Sequence, residues 1–210
     1  MEKGMEVNVV RLVGRVVGEP EFSHKIYGEA YYMIMLGILR KSGYEDRIRL
    51  VVSERLLCGR SPNIGEALEI KGQIRTYNRE ISGRNKLEIT VFVRTMGYIR
   101  ENKFNCEDID CENIVHLEGF ICKTPIRRTS PMGREICDLM IAINRQYNKS
   151  DYVPSIAWGK NAVFCEMLNV GDKVIVDGRI QSREYRKCEK NEEVVTRTAY
   201  EVSVVGIDMA

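Results

Sequence analysis

Four aromatic residues in the C-terminal half of the chain, Tyr147, Tyr152, Trp158 and Tyr185, are interleaved with cations at strand-like spacing. Along residues 173–185, Val174, Val176, Gly178 and Ile180 alternate toward one face, which puts Arg179, Gln181, Arg183 and Tyr185 on the other. Along residues 152–158, Tyr152, Ile156 and Trp158 fall opposite Val153 and Ala157, and Tyr147 sits in the hairpin loop just before them. Rings and guanidinium groups on one sheet face suit an unpaired nucleic-acid strand. Each exposed base contributes ~1–3 kcal/mol by stacking on an aromatic, and the cations neutralise phosphates alongside. Stacking accepts every base, so such binding is nearly independent of sequence. The competing reading is that the same rings pack inside a barrel or in a dimer contact, as aromatics commonly do.

Other chemistries find little support in the sequence. The only histidines are His24 and His116, and there is no Gly-rich phosphate loop, nucleophile elbow or carboxylate cluster, so an enzyme is not expected. Asp138, Asp151, Asp172 and Asp177 are spaced like turn and strand-end residues rather than like a nuclease site. The seven cysteines (58, 106, 111, 122, 137, 165 and 188) form an odd set without a CxxC pair. Neither a zinc ribbon nor a disulfide framework is suggested by that set, and the thiols are expected to be reduced and mostly half-buried on strands. No cofactor and no metal are expected.

The elements that must position the rings follow from an internal repeat. At an offset of 105, Asn8, Val10, Leu12, Gly14, Pro20, Gly28, Arg40 and Asp46 match Asn113, Val115, Leu117, Gly119, Pro125, Gly133, Arg145 and Asp151. After one inserted residue, Gly65 and Gly72 match Gly171 and Gly178. Each copy reads as an alternating strand (9–17 or 114–122), a turn-rich loop, and a second strand carrying Ile34, Leu36 and Ile38 or Leu139, Ile141 and Ile143. A third strand (47–52 or 152–158), a short helix (within 54–58 or 160–168) and two further strands complete it. Three strands, a helix and two strands is the order of the OB-fold. The expected fold is therefore all-β: two tandem five-stranded Greek-key OB barrels, each with one short helix between strands 3 and 4. The expected boundaries are 1–100 for the first barrel, 101–112 for a polar, acidic linker, and 113–210 for the second.

Composition is compatible with this. Hydrophobic residues make up 44% and charged residues 30%, too apolar for wholesale disorder. The net charge of +2 divides into +4 for residues 1–107 (18 basic, 14 acidic) and −2 for 108–210 (14 basic, 16 acidic). Neither value is a strong electrostatic footprint, so nucleic-acid binding would rest on placement rather than bulk charge. Residues 1–8 contain three charges and no signal-like run, and no later stretch is long and apolar enough to span a bilayer, so a cytoplasmic protein with no membrane partner is expected.

The segments LMIAINRQY (139–147), DYVPSIAWGK (151–160) and VIVDGRIQSREY (174–185) resemble bacterial single-stranded DNA-binding proteins. The opening NIVHLEGFICKTPIRRTSPMG (113–133) and the closing TAYEVSVVGI (198–207) are similar to the same family, so the resemblance covers nearly the whole second copy. It implies a two-barrel member of that family, protecting single-stranded DNA in replication, recombination or repair, on the nucleoid. The family's four stacking aromatics correspond to Tyr147, Tyr152, Trp158 and Tyr185. Lys160 and Arg128 become candidates for phosphate contact. An RNA-binding OB module or a primosome-type protein-interaction module is the alternative.

The first copy departs from this pattern. By the same offsets its stacking positions hold Ser42, Arg47, Ser53 and Arg79, so the platform is missing there. Tyr44, Arg47, Arg49, Arg75, Tyr77 and Arg79 are its candidate DNA contacts. Two readings stay open: a salt-dependent extension of the DNA path, or a copy kept for architecture and dimerisation. The resemblance implies a homodimer presenting four barrels, since family members with two barrels per chain assemble as dimers. The chain lacks the acidic tail ending in phenylalanine through which family members recruit replication and repair enzymes, so partners of that kind are in doubt and a specialised paralogue is one expectation.

Overall fold

The computed structural model describes residues 7–81, 84–99, 111–130, 132–188 and 194–210. The described residues form twelve strands in one continuous sheet. In the first half, β1 (Asn8–Val16) pairs with both β3 (Glu29–Leu39) and β5 (Ala67–Ile81). β3 continues to β4 (Glu45–Ser53), β4 runs parallel to β6 (Arg84–Tyr98), and β6 returns to β5. The ring β1-β3-β4-β6-β5-β1 is therefore closed, which is the OB-fold topology and leaves the barrel no open edge.

The second half repeats it. β7 (Asn113–Ile121) pairs with β9 (Glu135–Asn144) and β11 (Lys173–Cys188), while β10 (Ser150–Trp158) and β12 (Val194–Met209) close the ring. Short helices α1 (Glu54–Leu57) and α2 (Lys160–Glu166) follow β4 and β10. The turn-rich loops read from the sequence differ from expectation: each contains an edge strand, β2 (Glu21–Ile26) or β8 (Ile126–Thr129), pairing with the following strand. Both lie exposed along their length, so no alternating apolar signal betrays them. Most of the proposed linker, 101–112, lies outside the described residues; of Cys111 and Glu112, the latter's carbonyl accepts from Val13 N–H at 2.8 Å.

The repeat identities have physical causes. A Cβ on Gly14 would lie 2.4 Å from the Gly37 carbonyl oxygen, and one on Gly119 would lie 2.6 Å from that of Ala142. These glycines sit where the first strand of each barrel crosses to its second, and no side chain fits between the backbones. The asparagines replace ladder bonds where the strands part. Asn8 both donates to Ile74 O and accepts from Ile74 N, each at 2.9 Å, and Asn113 does the same for Ile180 at 2.7 and 2.9 Å.

The barrels join through β1 and β7, which pair antiparallel with Val10 opposite Val115. One apolar cluster runs through both, from Val10, Leu12 and Ile34 to Val115, Leu117 and Ile141. Two buried aspartates clamp the joint reciprocally. Asp46 accepts from Ser182 N at 2.7 Å and from Arg40 Nε at 2.6 Å; Asp151 accepts from Thr76 N at 2.7 Å and lies 3.1 Å from Arg75 Nη1 and 3.2 Å from Arg145 Nε. Ser182 and Thr76 return the contact, their hydroxyl oxygens accepting from Arg47 N and Tyr152 N at 2.9 Å. Asp151 is thus an interface anchor and not merely a strand-end residue.

Candidate nucleic-acid interface

Strand β10 positions the central part of the site. Val153 and Ala157 point into the barrel and are fully buried, so the pleat turns Tyr152 and Trp158 outward, 49% and 39% exposed. They stand six positions apart, roughly 20 Å of extended strand, enough for a nucleotide chain to lie between. Tyr147 is 91% exposed at the tip of the β9–β10 loop, where its backbone adopts a left-handed φ of 61°. A non-glycine residue in that region costs on the order of 1–2 kcal/mol, a strain that is common in binding loops. Tyr185 lies half-buried near the far end of β11. None of the four rings is plugged into the interior.

The cations fall into two groups. Lys160, at the first position of α2, and Arg79 and Arg183 are exposed and form no ion pair with the described residues. Arg179 is also exposed, but Gln181 is a correction to the sequence reading. It is only 9% exposed, and with its amide oxygen turned toward Arg179 it accepts from Nε at 2.9 Å and Nη2 at 3.2 Å. Gln181 therefore orients the guanidinium instead of displaying its own amide. Arg128 is exposed and held by Asp138 at 2.7 Å, an attraction that raises its pKa further.

Arg49 and Arg75 also differ from expectation. Arg49 is largely covered, pairs with the buried Glu88, and lies 5.0 Å from the Tyr200 ring of the other barrel. Arg75 is pulled down in pKa by burial, opposed by Asp151, and bonds that carboxylate together with Gln73 at 2.7 Å. Both hold the barrels together, because the outer faces of β4 and β5 are where the second barrel docks. Arg47 remains exposed beside Glu45 at 3.0 Å, Tyr77 is exposed, and Tyr44 is exposed beneath Arg40, 4.7 Å away.

Two further features escaped the sequence reading. Glu201 lies opposite Gln181 on the outward face of β12, and burial pushes its carboxyl pKa up, with Arg183 opposing the shift. The first barrel is not bare of rings either. Tyr31 on β3 and Phe92 on β6 approach to 5.7 Å between centroids, and His24 on β2 stacks on Tyr31 at 5.1 Å. They escaped notice because they occupy positions that match none of the second barrel's four aromatics.

Residues 112–210 match the model of the Single-strand binding protein family. Single-stranded DNA-binding protein 1 of Clostridium acetobutylicum is 31% identical over 97 residues, which is 42% of this chain and 88% of that protein. The chain belongs to the single-strand binding protein family. Single-stranded DNA-binding protein 2 of Listeria innocua is 30% identical over 96 residues, covering 60% of its length. The crystal structure of the wild-type single-stranded DNA binding protein from Thermus aquaticus superposes with a TM-score of 0.73, covering 97% of this chain and 92% of that one at 20% identity. At that identity the likeness concerns the fold, and it extends over both barrels. Among the described residues, no helix is long and apolar enough to cross a membrane.

Proposed function

We propose that this chain, a binding protein and not an enzyme, coats single-stranded DNA without regard to sequence and protects it during replication, recombination or repair. The second barrel carries the primary surface. Tyr147, Tyr152, Trp158 and Tyr185 receive the bases, and Lys160, Arg179 and Arg183 receive phosphates, with Arg128 at the margin. Arg47, Arg79, Tyr44 and Tyr77 form a secondary, more salt-sensitive flank on the first barrel. The observation that carries this reading is the outward orientation of all four rings on one closed barrel, two of them on a single strand whose alternate residues are core.

Trp158 is the sole tryptophan, which makes the test direct. Oligo-dT should quench its emission, with a site of about 4–16 nucleotides per participating barrel and affinity that falls steeply with salt. Trp158→Ala or Tyr152→Ala, followed by anisotropy of a labelled oligonucleotide, should weaken binding roughly fivefold or more, by ~1–3 kcal/mol per lost stacking partner. Unchanged affinity in both would assign the surface to another face. The same titration against an RNA of matching length measures the preference for DNA. We further propose a cytoplasmic homodimer presenting four barrels; sedimentation of the intact chain at its single-chain mass would remove that part.

A further inference from the structure

We propose that the first barrel binds single-stranded DNA on a relocated aromatic row formed by His24, Tyr31 and Phe92 and ended by Arg94. The inference rests on the DNA-binding reading of the second barrel and extends the path beyond it. His24 and Tyr31 are parallel, 5.1 Å apart with planes 7° from each other; Tyr31 and Phe92 follow at 5.7 Å and 38°; the Arg94 guanidinium lies 5.3 Å from the Phe92 ring centre. Four π-systems from β2, β3 and β6 thus line up across the outer surface of the barrel.

The register explains how the row replaces the missing platform. Ser53 stands where the second barrel has Trp158, and its partner across the ladder is Tyr31, on the same face. On the other flank of β4, Val51 lies beside Phe92. The small serine leaves the space over which Tyr31 and Phe92 meet. The aromatic function has moved one strand to either side.

The row ends beside the joint with the second barrel. Arg94 Nη2 donates to Gln73 Oε1 at 3.1 Å, Arg75 Nη2 donates to the same oxygen at 2.7 Å, and Arg75 Nη1 reaches Asp151 at 3.1 Å. Asp151 precedes Tyr152, so the exposed Arg94 end of the row lies toward the joint from which that ring projects. The carboxylates near the row are engaged: Glu29 accepts from the Ser53 hydroxyl and pairs with Arg55, and Glu54 accepts from Ala30 N–H at 2.9 Å. Arg94 stands exposed at one end of the row. Rings half-open to solvent and ended by a guanidinium match a polyanion with planar bases better than they match a second apolar protein face.

The test uses the full chain with Trp158→Phe, which keeps a ring at that position, combined with Tyr31→Trp, which puts the only indole in the row. Oligo-dT of about 10 and about 30 nucleotides is titrated, lengths that bracket one and several barrels. Indole emission is followed together with the anisotropy of a labelled oligonucleotide. The longer oligonucleotide should quench the indole at position 31. In the otherwise natural chain, Tyr31→Ala with Phe92→Ala should weaken the longer oligonucleotide about tenfold more than the shorter one. Binding by anisotropy with a silent indole at position 31 overturns the inference while leaving the second barrel's role intact. So does a double alanine variant that changes sedimentation but not DNA affinity, since the row would then be a contact between chains. Absence of any anisotropy change in the natural chain removes the parent reading, and this one with it.

Discussion

The two barrels share topology, crossing glycines and reciprocal clamps, yet their outer faces have little in common. Asn8 and Asn113, Gly14 and Gly119, and Asp46 and Asp151 do the same work in both, because each sits where two backbones meet or where one barrel enters the other. The ring positions on β10 have no such duty. Tyr152 and Trp158 face solvent, and their counterparts Arg47 and Ser53 were free to become something else. In a duplicated fold, therefore, the residues that stay identical report on assembly, and the ligand surface is read from those that diverged.

The sharpest way to break this comparison is at the clamps. Asp46→Ala and Asp151→Ala each strip the partner from buried or half-buried donors of the opposite barrel and should cost ~3–5 kcal/mol. Thermal unfolding should show a fall on the order of 10 °C for a chain of this size. If either variant melts with the natural chain, the joint is held by the β1–β7 ladder and the apolar cluster alone.

A second contrast sets Ser53 against Trp158. Ser53 caps α1 by accepting from Arg55 N–H at 3.1 Å, so Ser53→Ala should lower stability by ~1 kcal/mol and leave oligo-dT affinity in place. Trp158→Ala should do the reverse. A loss of affinity in Ser53→Ala would mean that the two faces are equivalent after all.

The arginines of the first barrel divide in the same manner. Arg79→Ala should reduce the slope of log affinity against log salt by about 1, since an exposed cation acts through counterion release. Arg49→Ala should instead destabilise, leaving the buried Glu88 with Lys86 at 3.2 Å as its remaining ion-pair partner. Salt titrations and denaturation curves on the two variants separate the roles.

The smallest expected effect concerns Glu201. Burial raises its carboxyl pKa in the folded chain, so the folded state holds this proton more tightly than the unfolded one. Its ionisation opposes folding: stability rises as pH falls from above the raised value toward the ordinary carboxylate range and is unaffected by this group below it. The neutral form also repels phosphate less. Glu201→Gln should accordingly strengthen oligo-dT binding a few-fold at pH above the raised value and flatten its dependence on pH between that value and the ordinary carboxylate range, measured by Trp158 quenching.

Much of this was legible beforehand. Strand alternation placed Val153 and Ala157 inside and Tyr152 and Trp158 outside, because a period of two needs nothing beyond neighbouring residues. The offset of 105 exposed the duplication, and the positions that matter at the joint were already among its identities. Their purpose was not visible. Asp151 and Thr76, or Arg49 and Tyr200, lie on different barrels and meet only when β1 pairs with β7.

By itself, then, the sequence determined what each strand shows to solvent and what it buries, since that follows from local periodicity. Only the tertiary structure decided which displayed groups remain available. Docking one barrel on the other engaged Arg49, Arg75, Asp46 and Asp151, and closing the first barrel brought Tyr31 beside Phe92 from strands sixty residues apart. Such meetings depend on distances in space that no short-range pattern encodes.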